Sequence, residues 1–143
     1  MFQKNFFEFD FNSLKNFLIQ DLAVEDKKVS MRRKQIWQSI YKKGHLEISK
    51  LTTLPLELRN KLNSLVSLQK PKITKEQVSE DGTIKWLIKL FDKNEVECVY
   101  IPEKTRATLC ISSQVGCTLN CKFCHTGTQR LVKNLSFSEI INQ

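Results

Sequence analysis

At Gln69-Lys70-Pro71 the hydrophobic period of this chain changes from about 3.6 residues to about 2, and that switch constrains the fold more than any other feature. Upstream, Phe11, Leu14, Phe17, Leu18 and Leu22 recur at helix spacing behind the capping candidates Asn12 and Ser13. Ile36, Trp37, Ile40 and Tyr41 form a second stripe, over about Met31 to Lys43, with Gly44 placed to stop it in a left-handed conformation. A third runs from Pro55, a favoured first helical residue, through Leu58, Leu62 and Leu65. Downstream, Ile84, Trp86, Ile88 and Leu90 alternate with Lys85, Leu87 and Lys89, the pattern of a strand. Turn residues Ser79-Glu80-Asp81-Gly82 and Asp92-Lys93-Asn94-Glu95 flank it, so Ile73 to Ser79, Thr83 to Phe91 and Val96 to Ile101 predict an antiparallel meander. A further strand is predicted over Arg106 to Ser113, and Ser136 with Glu139 forms a capping box that opens a helix through Phe137, Ile140 and Ile141. The prediction is an α+β chain: a small helical domain (1–67), a β meander (68–102) and a third segment (103–143) built around a cysteine loop. No internal repeat is present.

With 143 residues the chain has room for one ordinary domain, or for a small domain and part of a larger one. Its 41% hydrophobic and 27% charged residues, with four Gly and three Pro, exclude collagen-like and low-complexity classes. No window approaches the ~18 consecutive apolar residues of a membrane span. The opening MFQKNFFEFDF carries acids where a signal peptide is basic and then apolar, so a cytoplasmic protein with no membrane partner is expected. A net charge of +8 and a pI near 9.3 favour an anionic partner, nucleic acid first. The densest footprint is Lys27, Lys28, Arg32, Arg33, Lys34, Lys42 and Lys43, seven bases in seventeen residues with no acid among them. Such a run either meets RNA phosphates or is a solvated helix face, and the pattern leaves both open.

Five cysteines, Cys98, Cys110, Cys117, Cys121 and Cys124, are an odd number, and three of them fall within eight residues. In a reducing compartment that crowding points to metal or redox chemistry before a disulfide framework. Cys117-Thr-Leu-Asn-Cys121-Lys-Phe-Cys124 has the spacing C-x3-C-x2-C, between a predicted strand and a predicted helix. A tetrahedral structural zinc takes two separated ligand pairs, so three clustered thiols fit it poorly unless Cys110 or His125 is recruited as a fourth. An iron-sulfur cubane held by three cysteines keeps one iron open for a substrate or cofactor.

C-x3-C-x-aromatic-C, with Phe123 as the aromatic, resembles the signature of radical S-adenosylmethionine (SAM) enzymes. The run Arg106-Ala-Thr-Leu-Cys-Ile-Ser-Ser-Gln-Val-Gly-Cys117 narrows the likeness to the RlmN group of RNA adenine C2-methyltransferases, whose relatives include C8-methyltransferases. Val96-Glu97-Cys98-Val99-Tyr100-Ile101-Pro102 and Asn134-Leu-Ser-Phe-Ser-Glu-Ile-Ile extend it almost continuously from Val96 to Gln143. Over the first 70 residues the likeness lies in the order and type of elements.

The resemblance implies that Cys117, Cys121 and Cys124 ligate a [4Fe-4S] cluster whose open iron binds SAM. It also implies a radical route to adenine C2 through a methyl-carrying cysteine near the family's C-terminus, an external electron donor, and rRNA and tRNA as partners. Cys110 matches the family's resolving cysteine, which forms a transient disulfide with the methyl-carrying one. Independently, Thr108, Cys110 and Ser112 share one face of the predicted strand while Leu109 and Ile111 share the other, which suits a barrel with the apolar face outward. Glu97 aligns with the family's proton acceptor. Its neighbours on the same face are Val99 and Ile101, where burial would make an effective base, although spacing alone places it at the surface. Cys98 has no family counterpart and reads as packing; His125 reads as exposed or as a support to the ligands.

Family members run well over twice this length, and the sequence stops at the helix after the first predicted barrel strand. The methyl-carrying cysteine, the segments that hold SAM and most of a barrel of ~250 residues lie beyond it. The expectation is a truncated radical SAM α/β barrel, a monomer, inactive alone. Two other readings stay open: a non-catalytic RNA-binding fragment, and a small structural zinc or iron-sulfur module.

Overall fold

The structure, a computed structural model, describes residues 3–119, 121–122 and 126–143. The chain divides into two compact units, Met1–Gln69 and Lys70–Gln143. Among the described residues no helix is long and apolar enough to cross a membrane.

In the first unit, α1 (Phe11–Gln20), α2 (Asp26–Trp37) and α3 (Leu56–Leu65) enclose a core that includes Phe6, Leu14, Leu18, Ile36, Leu51, Leu62 and Val66. The start of α1 differs from expectation. Asp10, not Asn12 or Ser13, caps it: its Oδ1 accepts from the backbone N–H groups of Asn12 (2.8 Å) and Ser13 (2.6 Å). Ser13 Oγ accepts in turn from the Asp10 N–H at 2.9 Å, closing a reciprocal box. The second helix begins at Asp26, five residues before the expected Met31, because buried Val29 belongs to the same stripe as Ile36. It continues as a π-helical turn over Gln38–Lys42, and Gly44 follows with φ +68°. Pro55 precedes the third helix as its cap residue. Two short strands, β1 (Lys4–Asn5) and β2 (Val66–Ser67), pair in parallel and bring the N-terminal phenylalanines to the core. There Phe6, Phe7, Trp37 and Tyr41 pack ring against ring, with 4.5 Å between the Trp37 and Tyr41 centroids.

The second unit is built on a four-stranded antiparallel sheet, β3 (Lys72–Val78), β4 (Ile84–Lys89), β5 (Glu95–Pro102) and β6 (Ala107–Cys110), in that spatial order. The three meander strands fall where the alternation places them. One face supplies the core: Ile88, Leu90, Val96, Cys98 and Leu135 are buried, with Trp86, Val115 and Ile140 against them. The strand expected to Ser113 stops at Cys110, because the chain changes partner there. Ser113 O accepts from the Leu135 N–H (2.9 Å), and β7 (Gln114–Val115) pairs with β8 (Lys133–Asn134). All four residues of β6 are exposed, including Leu109, so no barrel helix covers its apolar face within the described residues. The capping box of Ser136 and Glu139 opens α4 (Phe137–Ile141) as predicted.

Candidate functional site

The sheet register brings Glu97 and Cys110 to one face. Gln77, Lys85, Val99 and Cys110 lie in a single row across the four strands, since each is the direct partner of the next. Directly opposed residues share a face, and so do residues two apart on a strand, so Glu97 sits on that face diagonal to Cys110. The thiol of Cys110 is free and exposed. Glu97 is exposed too, with Lys85 Nζ 3.1 Å from its Oε1. Glu97 lies at the surface, as its spacing alone suggests, and among the described residues it is not buried as a base would benefit from.

Two contacts that the motifs did not reveal hold the backbone there. Ser112 Oγ donates to the Glu97 carbonyl at 2.8 Å, standing in for the ladder bond that β6 loses at its end. Ser112 is itself held twice by the Gln143 amide, its N–H donating to Oε1 (2.8 Å) and its carbonyl accepting from Nε2 (2.7 Å). Lys85 was legible as a residue on the face opposite Trp86, and only the register shows that it reaches Glu97. Cys98, on the core side, is fully buried; burial, and then the nearby Cys110, push its thiol pKa up. It packs, as its lack of a family counterpart implied.

The cysteine loop rises from the β7–β8 ladder. Gly116 takes φ +75° and lies so close to Arg130 that a Cβ there would stand 2.2 Å from the Arg130 carbonyl oxygen. Cys117 follows, its N–H donating to Gln129 O at 3.1 Å. Gly127 is packed on the backbone of Cys121, whose carbonyl oxygen would be 2.7 Å from an added Cβ. Both cysteines are free and partly exposed. The Leu119 N–H points at Cys117 Sγ from 3.4 Å, and Cys117 opens on a cleft of ≈ 380 Å³ with Thr118 and Arg130. Soft thiols on glycine-pinned backbone have the chemistry of metal or iron-sulfur ligands, but among the described residues no three candidate ligands come together around one point. The third expected ligand, Cys124, lies outside the described residues, with Asn120, Phe123 and His125. Among the described residues the cysteines are free thiols and no disulfide is present.

The seven bases of the predicted RNA footprint lie in the first unit and are not alike. Arg33 stacks on the Phe11 ring (3.8 Å) and donates to Phe11 O at 3.1 Å. Arg32 donates to Gln35 and to Thr53 O. Lys27 and Lys28 pair with Glu25. Lys34, Lys42 and Lys43 are exposed with no ion pair among the described residues.

No family model matches the chain. Curated relatives do. The dual-specificity RNA methyltransferase RlmN of Bradyrhizobium sp. (strain ORS 278) is 47% identical over 129 residues, 86% of this chain and 32% of that protein. That of Rhodopseudomonas palustris (strain BisB5) is 51% identical over 119 residues, 79% of this chain and 30% of that protein. The chain therefore spans about a third of the length of the curated relatives it matches. Among solved structures, a radical SAM methyltransferase from Sphaerobacter thermophilus superposes with a TM-score of 0.81 at 30% identity, over 96% of this chain and 39% of that one.

Proposed function

We propose, for a chain that corresponds to the N-terminal portion of an RlmN-type radical SAM methyltransferase, that it supplies the cluster loop and part of the catalytic face of an adenine C2-methyltransferase acting on rRNA and tRNA. The observation that carries this reading is the sheet register that sets Glu97 and Cys110 on one open face, with Cys117 seven residues beyond Cys110. Cys117, Cys121 and Cys124 are the residues that would hold a [4Fe-4S] cluster, with SAM as the second cofactor. Bound there, such a cluster supplies the electron that cleaves SAM. The rest falls to the chain's own side chains. Glu97, steadied by Lys85 and by the Ser112 hydrogen bond to its backbone, accepts a proton from the substrate ring. Cys110 offers an accessible thiol for exchange with a second cysteine. Lys34, Lys42 and Lys43 offer free cations to RNA phosphates.

The test is anaerobic reconstitution of the whole chain as wild type and as single alanine variants. Cys117→Ala, Cys121→Ala and Cys124→Ala should each abolish the broad visible absorption of a cluster, since two thiolates leave two irons unprotected. Cys110→Ala should retain it. Full iron and sulfide in any of the first three variants would sink the ligand assignment.

A further inference from the structure

A two-residue ladder, Val115 opposite Lys133 and Gln114 opposite Asn134, cannot by itself hold the loop from Gly116 to Val132, because short hairpins are marginal and long loops cost entropy to close. The loop base is fastened from two sides. On the apolar side Val115 and Leu135 join the core of the unit. On the polar side Lys133 Nζ donates to Glu139 Oε1 at 2.6 Å and also to Asp92 Oδ2. Both acceptors are fixed independently. Asp92, in the β4–β5 turn, accepts the Asn94 N–H on its other oxygen at 3.0 Å. Glu139, in the first turn of α4, accepts the Ser136 N–H at 2.9 Å. One ammonium thus joins the strand leaving the cysteine loop, the meander turn and the following helix.

This is not an ordinary surface pair. The side chains of Lys133 and Glu139 are 30% and 16% exposed, against 43% and 54% for Lys85 and Glu97, so solvent screens the contact less. Without the ammonium, two carboxylates would face each other at the base of the loop.

We propose that Lys133 is a positioning residue: it clamps the base of the cysteine loop to the sheet and so preserves the loop shape that presents Cys117 and Cys121. The inference rests on the cluster reading of that loop.

The experiment compares the full chain as wild type, Lys133→Met, Lys133→Arg and Ile88→Val, the last a core truncation in the same unit that lowers stability without touching the clamp. Two quantities are read: amide exchange at Val132 and Leu135, whose N–H groups bond Val115 O and Ser113 O, and the rate of iron loss to a chelator after reconstitution. Lys133→Met should speed both by about tenfold, the loss of a charged hydrogen-bond pair, and Lys133→Arg should restore them to within about twofold. Ile88→Val should loosen the sheet generally without singling out the loop. The inference is overturned if Lys133→Met leaves loop exchange at the wild-type rate, or if it speeds exchange throughout the sheet as Ile88→Val does. If the wild type takes up no iron, the cluster reading fails, and exchange at Val132 and Leu135 alone decides the clamp.

Discussion

Of the seven bases between Lys27 and Lys43, Arg32 and Arg33 tie helix α2 to Thr53 and Phe11, so their charge is already in use inside the unit. Removing Arg33 costs a cation–π contact and a hydrogen bond, about 1–2 kcal/mol together. Arg33→Ala should therefore lower the denaturant midpoint of the first unit. Lys34, Lys42 and Lys43 carry no such role and are the residues to reverse. A triple change to Glu should leave the midpoint nearly unchanged and weaken RNA binding, with a flatter dependence of affinity on salt because fewer counterions are released. Binding that is indifferent to salt, or unaffected by the reversal, would favour a merely solvated face. The sequence showed the density of charge; it did not show which bases were engaged, since Arg33 and Phe11 are separated by a helix and a turn.

The elements were legible where one rule decided them and less so where several competed. Alternation located β4 and its neighbours because a single apolar face had to be buried. Three polar residues compete for the cap of α1, and only geometry selects Asp10. The first turns of α2 escaped notice because Val29 is the one buried residue among charged neighbours. The Lys133 cluster was invisible because Asp92 lies 41 residues away. That cluster predicts a pH response. The Lys133 hydrogen bond, with that of Asn94, lowers the Asp92 pKa from 3.8 to about 2. Burial works against ionisation of Glu139, but Lys133 and the Ser136 N–H outweigh it and leave its pKa below 4.5. Both carboxylates have folded values below their ordinary ones, so their contribution is complete above pH 4.5 and is lost as pH falls toward 2. Burial also opposes the charge on Lys133, yet its two acceptors win and raise its pKa above 10.5, so its contribution is present below 10.5 and is lost as pH rises beyond that. Amide exchange at Val132, corrected for the intrinsic rate, should accelerate between pH 4.5 and 2. Lys133→Met should remove that dependence, and an unchanged profile in the variant would refute the assignment.

At the scale of the molecule, the candidate site was legible as a set of residues and not as a surface. The spacing of Cys117, Cys121 and Cys124 named the loop, but the shared face of Glu97 and Cys110 depends on register, which the turn lengths alone leave unsettled. The open face, the exposed Leu109, Ile111 and Phe137, and a length near one third of the relatives' fit a part that works with more chain around it. Reconstituted alone with SAM, a reductant and an rRNA fragment, this chain should form no 2-methyladenine by mass spectrometry, because it spans about a third of the relatives' length. Multiple turnovers would show that the part of the relatives that this chain does not cover is dispensable. The central claim, that the cysteine loop is a cluster site, is tested most directly by counting metal. After anaerobic reconstitution with iron, sulfide and competing zinc, the wild-type chain should hold about four iron and four acid-labile sulfide. About one zinc per chain with no sulfide would contradict the claim and mark the loop as a structural zinc site.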